Sequence, residues 1–293
     1  MKDKVIRGIS KDKFIRFFAV NSKTTVQTAV NIHNMSITNS VIFGRLANAA
    51  IMMAADLKGE SAQLSLQIQS DGIINNVLAV ASPDGNLKGY MANPQQEFPI
   101  NKGTHTFDVR NAIGNGNIKV IKKTSEKTPY IGIVELLYGT ISQDIAHYFV
   151  QSEQIPTAIS LGVLMNPDGS IQQSGGFLIQ LLPDTPLDYI EKIENAIKKL
   201  PNFTDLMDMN YSIEKIMQEI LLKNFDVKIT KTSPIYYHCG CSKRKFLDGI
   251  KLLGKNELQD AVKKSETITA ECSFCNKVYL FTPNELNKII KDI

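Results

Sequence analysis

Four cysteines are the residues whose type and spacing carry the clearest chemistry in this 293-residue chain. They stand as Cys239-Gly-Cys241 and Cys272-Ser-Phe-Cys275, thirty residues apart, and the first 238 residues contain none. Two thiol pairs across a foldable loop suit a tetrahedral metal, because each pair supplies two ligands from one turn. Four soft thiolates favour zinc, one ion per chain, with an iron–sulfur centre as the second option. The C-x-C pair is less usual than C-x-x-C and separates this pattern from a plain zinc ribbon. Four thiolates leave no open position for water, so a zinc ion held by Cys239, Cys241, Cys272 and Cys275 is not hydrolytic. His238 neighbours Cys239 but is not needed to complete such a site.

No catalytic constellation is visible elsewhere. The four histidines, His33, His105, His147 and His238, share no metal-binding spacing. Ser152-Glu153-Gln154 lies near His147, but sequence adjacency does not make a triad. G-x-S-x-G, Walker and H-E-x-x-H patterns are absent. Gly114-Asn-Gly116 lacks the remaining features of a phosphate loop and reads as a turn.

The net charge of +4 is unevenly placed: residues 1–230 carry 22 basic and 22 acidic side chains, residues 231–293 carry 11 and 7. A basic metal module invites nucleic acid as a partner. The preferred reading is charge offset, with Lys243, Arg244, Lys245 and Lys277 balancing a doubly negative zinc–tetrathiolate centre, because the surplus is small for a nucleic-acid footprint. No secretory signal is evident at the start, where Arg16 breaks the apolar runs, and Asn48 and Asp56 interrupt the apolar segment Leu46–Leu57. A cytoplasmic protein without a membrane span is expected, where cysteines more often hold metal or do redox work than form structural disulfides.

The elements that must position the cysteines follow from periodicity. Residues 5–20 read as strand and Thr24–His33 as helix. Ser40–Leu57 has apolar residues at three- and four-residue spacing behind the capping candidates Thr38 and Ser40. A β-rich block follows: alternation at Leu64, Leu66 and Ile68, a hairpin around Pro83-Asp84-Gly85, strands at Ile118–Lys123 and Tyr130–Leu137, and a helix at Ser142–Val150. Ala158–Met165 and Ile171–Leu182 flank a second hairpin turn, Asn166-Pro-Asp-Gly169. Leu187–Leu200 and Tyr211–Leu222 read as amphipathic helices, Phe225–Ile229 as a short strand and Lys231–Pro234 as a hinge. The tail predicts helices at Ser242–Leu253 and Glu257–Lys264, short strands at Thr267–Glu271 and Lys277–Phe281, and a last helix from Pro283 capped by Thr282. The class is α+β: an antiparallel-sheet core domain with packed helices (1–183), a helical linker (184–233) and a small zinc-binding C-terminal module (234–293).

A metal here is a structural staple or a redox switch. About sixty residues make a poor independent core, and structural zinc contributes about 10–16 kcal/mol of apparent binding free energy to such a fold. The same thiolates are oxidisable. If oxidation joined cysteines within each pair, neither bond would restrain the long loop, and the module would lose its tie.

The segment His238-Cys-Gly-Cys-Ser-Lys-Arg-Lys-Phe246, with Leu252-Leu-Gly-Lys-Asn-Glu-Leu258 and Cys272-Ser-Phe-Cys-Asn-Lys-Val-Tyr-Leu-Phe281, resembles the redox-switch domain of the heat shock protein 33 family. Gln151-Ser-Glu-Gln-Ile-Pro-Thr157, Gly175-Gly-Phe-Leu-Ile-Gln-Leu-Leu-Pro183, Lys58-Gly-Glu60, Asp71-Gly72 and Gly89-Tyr-Met-Ala-Asn-Pro94 are similar to that family's core. The resemblance spans essentially the whole chain. It implies a cytoplasmic, ATP-independent holdase chaperone, not an enzyme. Zinc would hold the reduced tail folded and the protein inactive. Under oxidative stress Cys239 would pair with Cys241 and Cys272 with Cys275, zinc would leave, and tail and linker would unfold. The protein would then dimerise and hold unfolding clients, with no nucleotide, membrane or nucleic-acid partner. The alternative in another class is a nucleic-acid-binding protein with a purely structural zinc module. An enzyme would require a substrate site in the core that the sequence does not display.

Overall fold

The computed structural model describes residues 2–98, 100–101, 106–124, 128–291 and 293, and these fall into two compact units that divide between His238 and Cys239. His105 lies outside the described residues.

The first unit opens with β1 (Lys4–Ser10), β2 (Ile15–Asn21), α1 (Lys23–His33) and α2 (Ile37–Ala54). Next come β3 (Gln63–Ser70), β4 (Asn76–Ala81), β5 (Asn86–Met91), β6 (Ile100–Asn101), β7 (Thr106–Phe107), α3 (Val109–Ile113), β8 (Gly116–Lys123) and β9 (Tyr130–Glu135). Then α4 (Ser142–Tyr148) runs into a π-helical turn at Phe149–Glu153, ahead of the hairpin β10 (Thr157–Met165) and β11 (Ile171–Leu181). The unit ends with α5 (Leu187–Lys198), α6 (Phe203–Asp208), α7 (Ile213–Lys215) with a π continuation at Ile216–Leu221, β12 (Val227–Pro234) and β13 (Tyr236–Tyr237).

A five-stranded sheet has the order β10-β11-β2-β1-β12 and is antiparallel throughout. A six-stranded sheet has the order β13-β5-β4-β3-β8-β9, antiparallel except for the short parallel β13–β5 ladder. Strand alternation explains the layers. Along β2, Phe18 and Val20 enter one core cluster with α1, α2 and the six-stranded sheet. Ile15, Phe17 and Ala19 enter a second cluster with Phe177, Ile179, Phe203, Met207, Ile216 and Met217. The five-stranded sheet is therefore covered on both faces, by α1 and α2 on one side and by residues 187–221 on the other. Residues 184–233 pack within the first unit, and β12 adds a strand to its sheet along β1.

Helix α2 is the central element. It meets the length and composition of a membrane-crossing helix, yet 89% of its window is buried among the sheets. Its polar residues are accounted for inside: Asn48, fully buried, bonds Ser22 Oγ and donates to Ser174 Oγ (3.1 Å), tying α2 to β11 and to the start of α1. Asn39 Nδ2 donates to the carbonyls of Asn93 (2.8 Å) and Pro94 (2.9 Å).

Several local expectations shift. Residues 5–20 form two strands around a turn at Lys13, which adopts φ 62. Helix α2 begins earlier than Ser40, because Ser36 is the residue with extended backbone whose side chain accepts from the Asn39 N–H. The polar stretch between the two expected linker helices contains α6. Lys231–Pro234, expected as a hinge, is the end of β12, paired with Lys4–Arg7. The Gly114 segment is a turn: Gly114 has φ 77, and Asp71 Oδ1 accepts from the Asn115 N–H (2.7 Å).

In the second unit α8 (Lys243–Lys251) and α9 (Lys255–Lys263) precede the hairpin β14 (Ile268–Glu271) and β15 (Val278–Phe281), and α10 (Pro283–Lys291) closes the chain. Its core is small: Ile250, Leu258, Ala261, Tyr279, Phe281, Leu286, Ile289 and Ile290. All five elements appear where the periodicity places them.

Candidate metal centre

Each cysteine pair sits at a backbone turn. Cys272 follows β14 and Cys275 precedes β15. The turn is closed by Cys275 N–H to the Cys272 carbonyl (3.2 Å), Asn276 N–H to the same carbonyl (2.8 Å) and Cys272 N–H to the Lys277 carbonyl (3.0 Å). Asn276 takes the left-handed conformation this turn needs, φ 54. The other pair lies just before α8, whose N-cap Ser242 accepts from the Lys245 N–H. Gly240, between the two thiols, has φ 63, so glycine suits this position sterically. Lys245 Nζ donates to the Gly240 carbonyl at 2.6 Å and braces the same turn.

These turns bring the four sulfurs within 4.8 Å of one another, and none is disulfide-bonded. Between the pairs, Cys239 to Cys272 is 3.4 Å and Cys241 to Cys275 is 3.3 Å. Zinc–sulfur bonds of about 2.3 Å imply sulfur–sulfur edges of roughly 3.8 Å in a tetrahedron. The spacing and the all-thiolate donor set fit one such ion. Cys272 is buried and the other three are half-buried.

The electrostatics of the unmetallated sulfurs are uneven. Burial pushes the Cys239 and Cys275 thiols above their ordinary range. Burial also opposes ionisation of Cys241, but hydrogen bonds, first from Tyr279 and then from Cys275, outweigh it and bring this thiol to about 7. The Tyr279 hydroxyl lies 3.1 Å from Cys241 Sγ, and that hydrogen bond, with a small contribution from burial, holds the phenol at about 12. A divalent cation at this point would displace the thiol protons.

Residue composition alone gave Tyr279 no role. Its signal was strand alternation: β15 exposes Val278 and Leu280 and buries Tyr279 and Phe281, so the phenol points to the sulfur side of the core. Two of the basic residues expected to balance the thiolates make other contacts. Lys243 Nζ pairs with Glu285 Oε1 at 2.5 Å and sits 5.1 Å from the Phe281 ring centre. Lys277 Nζ lies 5.5 Å from the centre of the Tyr279 ring. Glu285 also accepts from the N–H and hydroxyl of Thr282, fixing the start of α10.

The candidate cluster consists of four cysteines and no histidine. His33 Nε2 meets the Tyr237 hydroxyl at 3.4 Å, and His147 packs edge-on against Tyr138. The His238 N–H donates to the Leu87 carbonyl, extending the β13–β5 ladder. A cavity of about 30 Å³ in the first unit is lined by Arg16, Asp56, Lys122, Glu153 and Gln180. Its charges are spent on one another, Arg16 on Asp56 (3.0 Å) and Lys122 on Glu153 (2.5 Å). It has room for about one water.

Comparison with known proteins assigns the whole chain. A family model described as Hsp33 protein matches residues 3–282. The chain belongs to the Hsp33 family. The 33 kDa chaperonin of Agathobacter rectalis is 39% identical over 289 residues, covering 99% of this chain and 100% of the relative. That of Acetivibrio thermocellus is 39% identical over 293 residues, covering 100% and 98%. The crystal structure of the 33 kDa chaperonin (heat shock protein 33 homolog) of Thermotoga maritima matches with a TM-score of 0.90 at 32% identity, over 100% of this chain and 99% of that one. The Hsp33 family is a chaperone family, and the α+β fold with its C-terminal cysteine cluster is the family's fold. Within this Hsp33 chain the motifs that carried the resemblance occupy defined places: Gln151–Thr157 spans the π-helical turn into β10, Gly175–Pro183 is most of β11 and its exit, and Lys58–Glu60 joins α2 to β3.

Proposed function

We propose that this chain is a redox-regulated, ATP-independent holdase whose reduced, zinc-bound form is inactive. Bound zinc would supply a charge-neutralising tie among four thiolates, contributing about 10–16 kcal/mol to a module whose own core is small. Oxidation that joins Cys239 to Cys241 and Cys272 to Cys275 removes the thiolates and leaves two local bonds that do not span the loop between the pairs. The module then unfolds. The chain runs from β13 directly into Cys239, so loss of the module frees the end of the segment that covers the five-stranded sheet. The observation that carries this reading is the covered face itself: Ile6, Ile15, Phe17, Ala19, Phe177 and Ile179 are buried by residues 187–221. Displacing that layer uncovers a contiguous apolar sheet surface of the kind that binds unfolding proteins. We further propose that the active form is a homodimer and that the protein works in the cytoplasm without a nucleotide.

The test follows zinc and clients together. Zinc-loaded protein is treated with hypochlorite, or with peroxide at raised temperature. Zinc release is read with a chromogenic chelator, and aggregation of a thermally unfolding client by light scattering. Zinc release accompanied by suppressed aggregation is the expected result. Zinc release with aggregation unchanged would sink the holdase reading, and tight salt-sensitive nucleic-acid binding by the reduced form would put the structural-zinc alternative in its place.

A further inference from the structure

We propose that Tyr237 is a positioning residue that ties down the last strand of the first unit, and so sets how readily unfolding of the cysteine module runs on into the helical layer. This inference rests on the reading of the module as a switch that unfolds. The first unit ends at His238, and the first cysteine is the next residue. Unfolding that starts in the module reaches residues 187–221 along the chain only through β13 and then β12, which pairs with β1 from Val227 to Pro234.

Strand β13 has little backbone to hold it. Its ladder on β5 is parallel and two residues long, Tyr236 beside Asn86 and Tyr237 beside Leu87. Two main-chain bonds frame it, Tyr236 N–H to the Gly85 carbonyl (3.1 Å) and His238 N–H to the Leu87 carbonyl (2.9 Å). Parallel ladder bonds are evenly spaced, at every second residue, so Gly89 would be the next rung. A side chain takes that rung. The Tyr237 hydroxyl donates to the Gly89 carbonyl (2.8 Å) and accepts from the Gly89 N–H (3.3 Å). His33 Nε2, at the end of α1, lies 3.4 Å from the same oxygen, and the ring packs against the core cluster built around α1 and α2. One hydroxyl thus closes the β5 edge to the residues that follow and joins β13 to both β5 and α1. Tyr236, on the same strand, is the contrast: it is 44% exposed, and its hydroxyl lies 3.4 Å from Asp84 Oδ2 at the surface.

While the module is folded, ordered chain continues beyond His238. Once the module unfolds, His238 becomes the end of the folded chain, and chain ends fray unless they are tied down. Tyr237 is then the last side chain packed on the core before the disordered tail. The net contribution of a neutral hydrogen bond shifts an equilibrium by about three- to tenfold. Removing the hydroxyl should raise the population with β13 detached by that factor when the module is unfolded, and by less when order on both sides holds the strand.

The experiment uses the full chain as wild type, Tyr237→Phe and Tyr236→Phe. Amide exchange of Tyr236 and His238 is followed in the reduced zinc-loaded form, and again after a chelator has removed zinc in reductant, which unfolds the module with its thiols intact. Zinc release under peroxide is timed on the same proteins, with the temperature at which peroxide-treated protein begins to hold a client. The expected result is that zinc-free Tyr237→Phe exchanges these amides about three- to tenfold faster than wild type, with a smaller factor in the zinc-loaded form. Client holding begins at a lower temperature, zinc release is unchanged and Tyr236→Phe matches wild type. Acceleration by the same factor in both forms overturns the proposal, because the hydroxyl would then only stabilise the first unit. An unchanged onset temperature, altered zinc release or an equal effect of Tyr236→Phe overturns it as well. Wild type alone also decides: loss of His238 amide protection as soon as zinc is removed overturns the tie even if the Phe variant does not fold. Peroxide-treated wild type that holds no client at any temperature overturns the switch reading, while the exchange factors still decide whether Tyr237 ties the strand.

Discussion

Phe203→Ala should activate the chaperone without oxidation. Phe203 is 2% exposed and lies on α6, its ring 5.7 Å from that of Phe177 on β11. It pins the helical layer to the apolar face of the five-stranded sheet. Truncating a buried Phe to Ala costs about 3–5 kcal/mol in lost transfer energy and cavity. At 1.4 kcal/mol per tenfold, the population with this layer detached rises by roughly two to three and a half orders of magnitude. That is enough to carry a locally open state from rare to substantial in a protein of ordinary stability, about 5–15 kcal/mol overall. The substitution leaves the cysteines in place in the separate second unit.

The assay is aggregation of a thermally unfolding client by reduced, zinc-loaded Phe203→Ala, with protease sensitivity at residues 184–226 and zinc content measured on the same sample. Client holding with zinc retained and the helical layer cleavable is the expected outcome. Leu64→Ala is the control, because Leu64 is fully buried in the other cluster, away from that face, and its loss costs about 2–5 kcal/mol. The reasoning is refuted if Phe203→Ala stays inactive with an intact helical layer, or if Leu64→Ala activates as strongly.

Four further outcomes are expected. Cys272→Ser should lower zinc affinity by several orders of magnitude and leave residues 239–293 unfolded by NMR even in reductant, since a buried member of the tetrathiolate set is lost. Gly240→Val places a β-branched residue at φ 63, costs about 1–2 kcal/mol or more, and should weaken zinc binding about fivefold or more in a chelator competition. Gly162→Ala puts a Cβ 2.5 Å from Thr204 Cγ2, so α6 must move off β10, and reduced protein should bind more of an apolar dye than wild type. Glu285, paired first with Lys243 and then with the Thr282 N–H, titrates at about 2 in the folded module against an ordinary value near 4.5. Its folded value is depressed, so its stabilising contribution is complete above about 4.5 and disappears as pH falls through about 2; a carboxyl NMR titration with a normal midpoint would contradict this.

The cysteine centre was legible because its signal is local: two pairs, each on one turn. The tail elements were legible for the same reason, since their amphipathic repeats and the capping residues Ser242 and Thr282 sit next to what they organise. Misplaced features were those decided at a distance. Lys231–Pro234 carries turn-like residues and reads as a hinge, but pairing with Lys4–Arg7 makes it strand. Helix α6 is short and seats closely because Gly162 on β10 and Gly175 on β11 leave room for Thr204 and Met207, which no periodicity within 203–208 announces. Ser36 outcompeted Thr38 and Ser40 as the cap of α2 because the chain from Asn93 to Gln96 accepts from its hydroxyl and from Asn39. Tyr279 fell within the expected strand Lys277–Phe281, but its aim at Cys241 depends on how the β14–β15 hairpin and α8 close on each other.

The geometry of the sulfurs sharpens what oxidation must do. Two cross-pair contacts are close, Cys239 with Cys272 at 3.4 Å and Cys241 with Cys275 at 3.3 Å. Disulfides along those lines would keep the two turns tied and restrain a loop of more than thirty residues, worth about 4 kcal/mol by loop-closure entropy. Bonds within the pairs close loops of three or four residues, worth only about 2 kcal/mol each and spent on the turns alone. Cross-pair bonding would therefore be a lock and within-pair bonding a release. The first oxidised sulfur decides between them. Once it stops holding the ion, the small core must keep the turns together by itself, and it holds about 5 kcal/mol at best. As the turns separate, the partner one or two residues along the chain stays within reach, while the partner across the loop is diluted by the longer tether. Under the proposed switch, kinetics would therefore favour Cys239–Cys241 and Cys272–Cys275 even though sulfurs of different pairs lie in contact. Peptide mapping after brief peroxide treatment tests the point: dominant cross-pair bonds would make oxidation stabilise the module and remove the physical basis of the switch.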